Sequence, residues 1–154
     1  MSTRMSSTRG EAFPQDEAKP FRMLSIYDSP DSRREAAHAS AIILNELGED
    51  IVADEHAWDL QSLEAAENLE QAAHEAAQAD VIVLALATRA PSESLKNWAN
   101  RWQQKRELTS GLLALIPSGK SATGGDLAEF LYEMAVTANM DFLCRKPRRF
   151  ETGE

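Results

Sequence analysis

Apolar runs of strand length recur along this chain, with amphipathic helical stretches between them. The runs are Met23–Tyr27, Ile51–Trp58, Val81–Ala87, Leu112–Ile116 and Phe142–Arg145, and each of the first four leads into a helix-like segment. A parallel neighbour is reached only by a crossover of a dozen or more residues, so this alternation dictates a parallel sheet with helices on its faces. Val81–Ala87 is apolar on both faces, as a central strand must be, whereas Asp54, Glu55 and His56 give the second strand the polarity of an edge. Sheets of this kind bind ligands outside the carboxyl ends of their strands, so the pattern also says where chemistry would lie.

The helices carry their own signals. Ser29 is a cap and Pro30 a first helical residue, Ala36, Ala39, Ile43, Leu44 and Leu47 form a buried stripe, and Gly48 ends the first helix. A second helix, about Ser62 to Gln78, has only Leu63 and Leu69 as large apolar residues, which predicts a thin packing surface. The third, Ser92 to Arg106, presents Leu95, Trp98 and Trp102 at helical spacing, a core or interface stripe rather than a cofactor box. The fourth, after Gly125, presents Leu127, Phe130, Leu131 and Met134. No helix is expected after the last strand. Part of one sheet face is then expected to be apolar and uncovered, to be closed by the N-terminal arm, a second copy of the chain or another protein. A homodimer is the favoured form, so the expected partner is a homo-oligomer or a protein seated over the face left by the missing last helix.

At 154 residues, 43% of them hydrophobic, the chain fits one domain with one core. A formal net charge of −9 opposes general binding to nucleic acid and to anionic membranes. A single cysteine excludes an internal disulfide framework and fits a reducing, cytoplasmic setting, and no apolar run reaches the length of a membrane span. Residues 1–20, rich in Ser, Thr, Arg, Glu and Pro, read as a disordered arm, 21–147 as the domain and 148–154 as a flexible basic tail.

The residues at the strand ends are a poor catalytic set. Tyr27, Asp28 and Ser29 follow the first strand, either as a polar ligand loop or as a helix cap with solvated acids. Thr88 and Arg89 follow the third, where Arg89 could meet an anion. Ser118-Gly119-Lys120-Ser121 after the fourth is the end of a phosphate-loop pattern whose first glycine position holds Ala114, inside the strand. Lys146 follows the fifth. His38, His56 and His74 lie on different elements and, with Cys144 alone, give a zinc site little support. Arg145-Lys146-Pro147-Arg148-Arg149 is a basic patch on an acidic protein, suited to intramolecular pairing or partner docking.

Two partial resemblances attach to these residues. Met23–Asp31 is similar to the first strand and acidic pair of bacterial response-regulator receiver domains, with Tyr27 in place of one acid. Asp141–Pro147 is similar to their last strand, with Lys146-Pro147 at the family's Lys-Pro. The resemblance places Ala85 at the phosphoacceptor position, and an alanine cannot form an acyl phosphate or help bind magnesium. The middle of the chain resembles flavodoxin-like FMN and quinone reductases, through Ala79–Leu84, Pro91, Leu95–Trp98 and Leu113–Gly119. Those families place Ser, Thr, Gly or Arg after the first strand, where this chain has Asp28 and Asp31. A carboxylate about 5 Å from a phosphate charge costs on the order of 1–3 kcal/mol, a cost that Arg33 and Arg34 would offset only by turning toward the site.

Both resemblances imply an α/β three-layer sandwich around a five-stranded parallel sheet of flavodoxin-like order 2-1-3-4-5. The function expected is that of a non-catalytic flavodoxin-like domain, a degenerate receiver acting through protein contacts and needing no cofactor. The alternative is an FMN-dependent NAD(P)H or quinone oxidoreductase, with Thr88, Arg89 and Ser118 edging the flavin.

Overall fold

A computed structural model of the chain describes residues 20–48, 50–88, 90–108, 110–117 and 126–144. The expectations for the N-terminal arm, the basic tail, Arg89, Ser118, Gly119 and Lys146 lie outside the described residues. Five parallel strands, β1 (Phe21–Tyr27), β2 (Ala53–Asp59), β3 (Val81–Leu86), β4 (Leu112–Pro117) and β5 (Asp141–Cys144), form one sheet in the order β2-β1-β3-β4-β5. The α-helices among the described residues are α1 (Pro30–Leu47), α2 (Ala66–Ala77), α3 (Glu93–Lys105) and α4 (Asp126–Thr137). This is the flavodoxin-like α/β sandwich, and β5 is its last described element. None of these helices is long and apolar enough to cross a membrane.

Strand pairing sorts the side chains into two layers. Met23 pairs with Val81 and Ala85 with Ile116, and these join Ala36 and Ala39 of α1 in the smaller core. Leu24, Ile26, Ile82, Leu84, Leu113 and Leu115 point the other way, into the larger core with α2, α3 and α4. On the α1 side of β4 and β5, Ala114 and Ile116 are buried, while Leu143 is 48% exposed. β3 is buried along its whole length and β2 is mostly exposed, the pattern of a centre and an edge.

Strand ends differ from the sequence expectation by one or two residues (β1 begins at Phe21 and β5 at Asp141), and two departures have a local cause. β2 starts at Ala53 rather than Ile51, because Phe21 is the first β1 residue to pair with it; Ile51 and Val52 stay outside. The expected helix from Ser62 splits into a short 3-10 helix, Leu60–Glu64, and α2, with extended Ala65 between them. Asp59 caps the 3-10 helix by accepting from the Gln61 amide at 3.0 Å, and at the break the Ser62 carbonyl accepts from the Ala65 amide at 3.3 Å and from Asn68 Nδ2 at 2.9 Å. Nor is the α2 surface thin. Ala72, Ala73 and Ala76 are fully buried in one core with Trp98 and Trp102 of α3, so small side chains on one helix accommodate large ones on its neighbour.

At the amino ends of β3 and β4, Arg106 staples the sheet floor. Its Nη1 donates to the carbonyls of Ala76 (3.1 Å) and Ala79 (2.9 Å), which close α2, and its Nη2 to Ser110 (2.6 Å). Burial lowers the Arg106 guanidinium below its ordinary value and nearby Asp80 opposes the shift. Gly111, at φ +149°, leaves the space: a Cβ there would lie 2.5 Å from Arg106 Nη2 and 3.2 Å from the Asp80 carbonyl. Gly111→Ala is therefore expected to cost about 1–3 kcal/mol, from strain and displacement of the guanidinium. In an Arg106→Ala background the same change should cost about 0.5–1 kcal/mol less, since one clash is gone. Strict additivity in urea unfolding of the four proteins would show that the two residues do not interact.

Candidate functional site

In a 2-1-3-4-5 sheet the order reverses between β1 and β3, and the crevice outside their carboxyl ends is where a ligand would sit. Asp28, the residue after β1, spans that crevice. Its Oδ2 and Oδ1 lie 2.9 and 3.1 Å from the amide nitrogen of Ala87, the residue after β3. A carboxylate accepting a backbone N–H is a charge-assisted bond, and here it ties the two diverging strands together.

Ser32 completes the arrangement from the first turn of α1. Its hydroxyl donates to Asp28 Oδ1 at 3.0 Å, with the Ser29 carbonyl as a second acceptor at 3.1 Å. The same oxygen accepts from the amides of Asp28 (3.0 Å) and Ser29 (2.9 Å), while Ser29 Oγ caps the Ser32 amide at 3.1 Å. Pro30 has no amide to offer. The donors with which a strand-to-helix loop would cradle a phosphate are thus met by side chains of the loop itself.

The cleft beside Asp28 has a volume of 310 Å³ and is lined by Asp28, Asp59, Leu60, Gln61, Glu64, Ser92, Glu93 and Ser94. Four of these are acids and none is basic, so the cleft repels anions. Among the described residues no group of three His, Cys, Asp or Glu side chains is arranged to hold a metal ion. Arg33 and Arg34 do not offset the charge. The Arg33 guanidinium lies over the Tyr27 ring, 5.6 Å from its centre, and Arg34 pairs with Asp31.

The structure therefore brings Tyr27, Asp28 and Ser29 together, and gives each a local partner. Thr88 follows β3 as expected, but its hydroxyl donates to the Ala90 carbonyl at 2.9 Å and so closes a turn. Ser92 caps α3 through the Leu95 amide, and Trp98 and Trp102 are fully buried in the core. Ser32 is the residue that sequence reading missed. Its signal was present: Ser29 and Ser32 stand three apart at a helix start, the spacing of a reciprocal cap.

A second polar cluster lies at the β2 edge. His56 Nε2 is 3.2 Å from Asp54 Oδ1 and its Nδ1 is 3.4 Å from Glu75 Oε2. Glu75 also accepts from Trp58 Nε1 at 2.7 Å and from Gln71 Nε2 at 2.9 Å. Every member has a partner within the cluster, and its effect is to fasten the edge strand to α2. Asp54, His56 and Trp58 alternate along β2, which was the signal for a shared face.

No protein-family model matches this chain, and neither curated proteins nor solved structures show a significant similarity to it.

Proposed function

We propose that this chain is a non-catalytic domain on a flavodoxin-like frame, comparable to a receiver that cannot be phosphorylated, and that it acts through protein contacts. The observation that carries the reading is the Asp28–Ala87 bond, which fills the crevice with the chain's own carboxylate. Two further facts agree with it. Ala85, at the position where a receiver carries its phosphoacceptor, is fully buried between Tyr27 and Ile116. The adjoining cleft is acidic, which disfavours the phosphate of a flavin.

Contacts with a second copy are part of the proposal. Leu143, 48% exposed, lies on the α1 side of β5, the sheet face over which a last helix was not expected. A reducing, cytoplasmic setting suits the single, exposed Cys144. Titration with FMN, followed by flavin fluorescence, should show no saturable binding up to high micromolar concentration. A Kd in the micromolar range would replace this reading with the oxidoreductase one. Light scattering should give twice the mass of the 17.0 kDa chain, and a monomeric mass would remove the homodimer.

A further inference from the structure

We infer that the outward stripe of α4 is the docking surface for the basic segment that follows β5, residues 145–150 of the same chain. This goes beyond the proposed function and does not depend on whether the crevice takes a ligand.

α4 buries Leu127, Leu131, Met134 and Ala135 against the sheet. A surface helix with its apolar stripe so placed normally shows polar residues on its far side. Here Glu129, Tyr132, Glu133 and Val136, at spacings of three and four, form one outward stripe in which acids alternate with apolar side chains. Tyr132 is 54% and Val136 56% exposed. Such a stripe suits an occupant that carries positive charge and an apolar anchor together.

The charge distribution names that occupant. From Asp126 to Cys144 there are four acids, Asp126, Glu129, Glu133 and Asp141, and no Lys, Arg or His. The next six residues hold Arg145, Lys146, Arg148 and Arg149, with Phe150 and no acid. Four negative charges are followed at once by four positive ones.

Reach agrees with charge. Phe142 of β5 meets the Tyr132 ring edge-on at 5.9 Å, which sets the strand beside the helix. β5 runs parallel to β4, so Cys144 ends at the same sheet end from which α4 starts. Six extended residues span about 20 Å, and a helix of 12 residues is about 18 Å long. A residue that precedes a proline is disfavoured in the helical region, and proline has no amide that needs a partner, so the sequence Lys146-Pro147 suits a segment laid down in extended form. A segment laid along α4 therefore brings its arginines past Glu129 and Glu133 and Phe150 to the level of Val136. Each exposed ion pair is weak alone, but tethering supplies a high effective concentration and the pairs act together.

The test uses the full chain with Cys144→Ser and Thr152→Cys, a nitroxide on the introduced thiol, and amide spectra of isotope-labelled protein. At about 0.05 M salt, broadening should concentrate on Glu129, Tyr132, Glu133 and Val136. It should be lost at about 0.5 M salt, where screening sets in beyond roughly 4 Å, and equally lost in Glu129→Gln/Glu133→Gln, which changes only exposed side chains. Broadening that ignores both salt and the glutamines would reveal a merely tethered tail and overturn the proposal. So would broadening seen only between labelled and spin-labelled molecules in a mixture, because the stripe would then hold the tail of a second copy.

Discussion

Trp98→Ala is expected to lower the unfolding free energy by about 4 kcal/mol, the middle of the range for deleting a buried aromatic. Trp98 is fully buried and its ring lies 5.7 Å from that of Trp102, tilted by 54°. The helix opposite is lined with Ala72, Ala73 and Ala76, which have no side chain long enough to move into the space. The cavity would therefore persist rather than collapse, and the cost rises with residual volume. Against a typical domain stability of about 5–15 kcal/mol, one substitution removes a large share. Trp98→Phe should behave differently. The indole nitrogen has no hydrogen-bond partner among the described residues, so the change forfeits packing volume but no bond, and should cost less than about 1.5 kcal/mol. Urea unfolding of both variants checks the pair. Equal losses would mean that the indole nitrogen matters more than the ring, contrary to the structure.

Much of this frame was legible in the sequence because its elements carry period and punctuation. β3 was readable as central from the seven apolar residues Val81–Ala87, and β2 as an edge from Asp54, Glu55 and His56. What escaped depends on contacts between distant residues. The alanine face of α2 gave no sign of strength, since its packing rests on tryptophans some thirty residues later. Ala65 looked like helix interior, but its amide and the Asn68 side chain both bond the Ser62 carbonyl, and there the helix breaks. At the strand ends the sequence supplied Tyr27, Asp28, Ser29 and Thr88 as neighbours of the crevice, but not their partners. That Asp28 turns to the Ala87 amide, 59 positions away, is set by the register of β1 on β3. The spacing of residues near Asp28 holds no trace of it.

The same bond yields the other large effect expected. Asp28→Ala should cost about 2–3 kcal/mol, the range for a hydrogen bond to a charged group plus a stranded donor. The Ala87 amide loses both carboxylate oxygens, whereas the buried Ser32 hydroxyl can turn to the Ser29 carbonyl 3.1 Å away. For a domain of this size the loss corresponds to a fall in Tm of about 5–12 °C. Asp28→Asn keeps an acceptor for Ala87 and should cost about 1 kcal/mol, so the two variants separate the bond from the charge. Alanine also empties the crevice while Asp59, Glu64 and Glu93 remain around it. If those acids oppose anions as the electrostatics require, Asp28→Ala should gain no affinity for FMN. Flavin binding gained on that single change would mean that Asp28 alone had closed a working phosphate site. The frame would then be that of a flavin protein whose site has been filled from within.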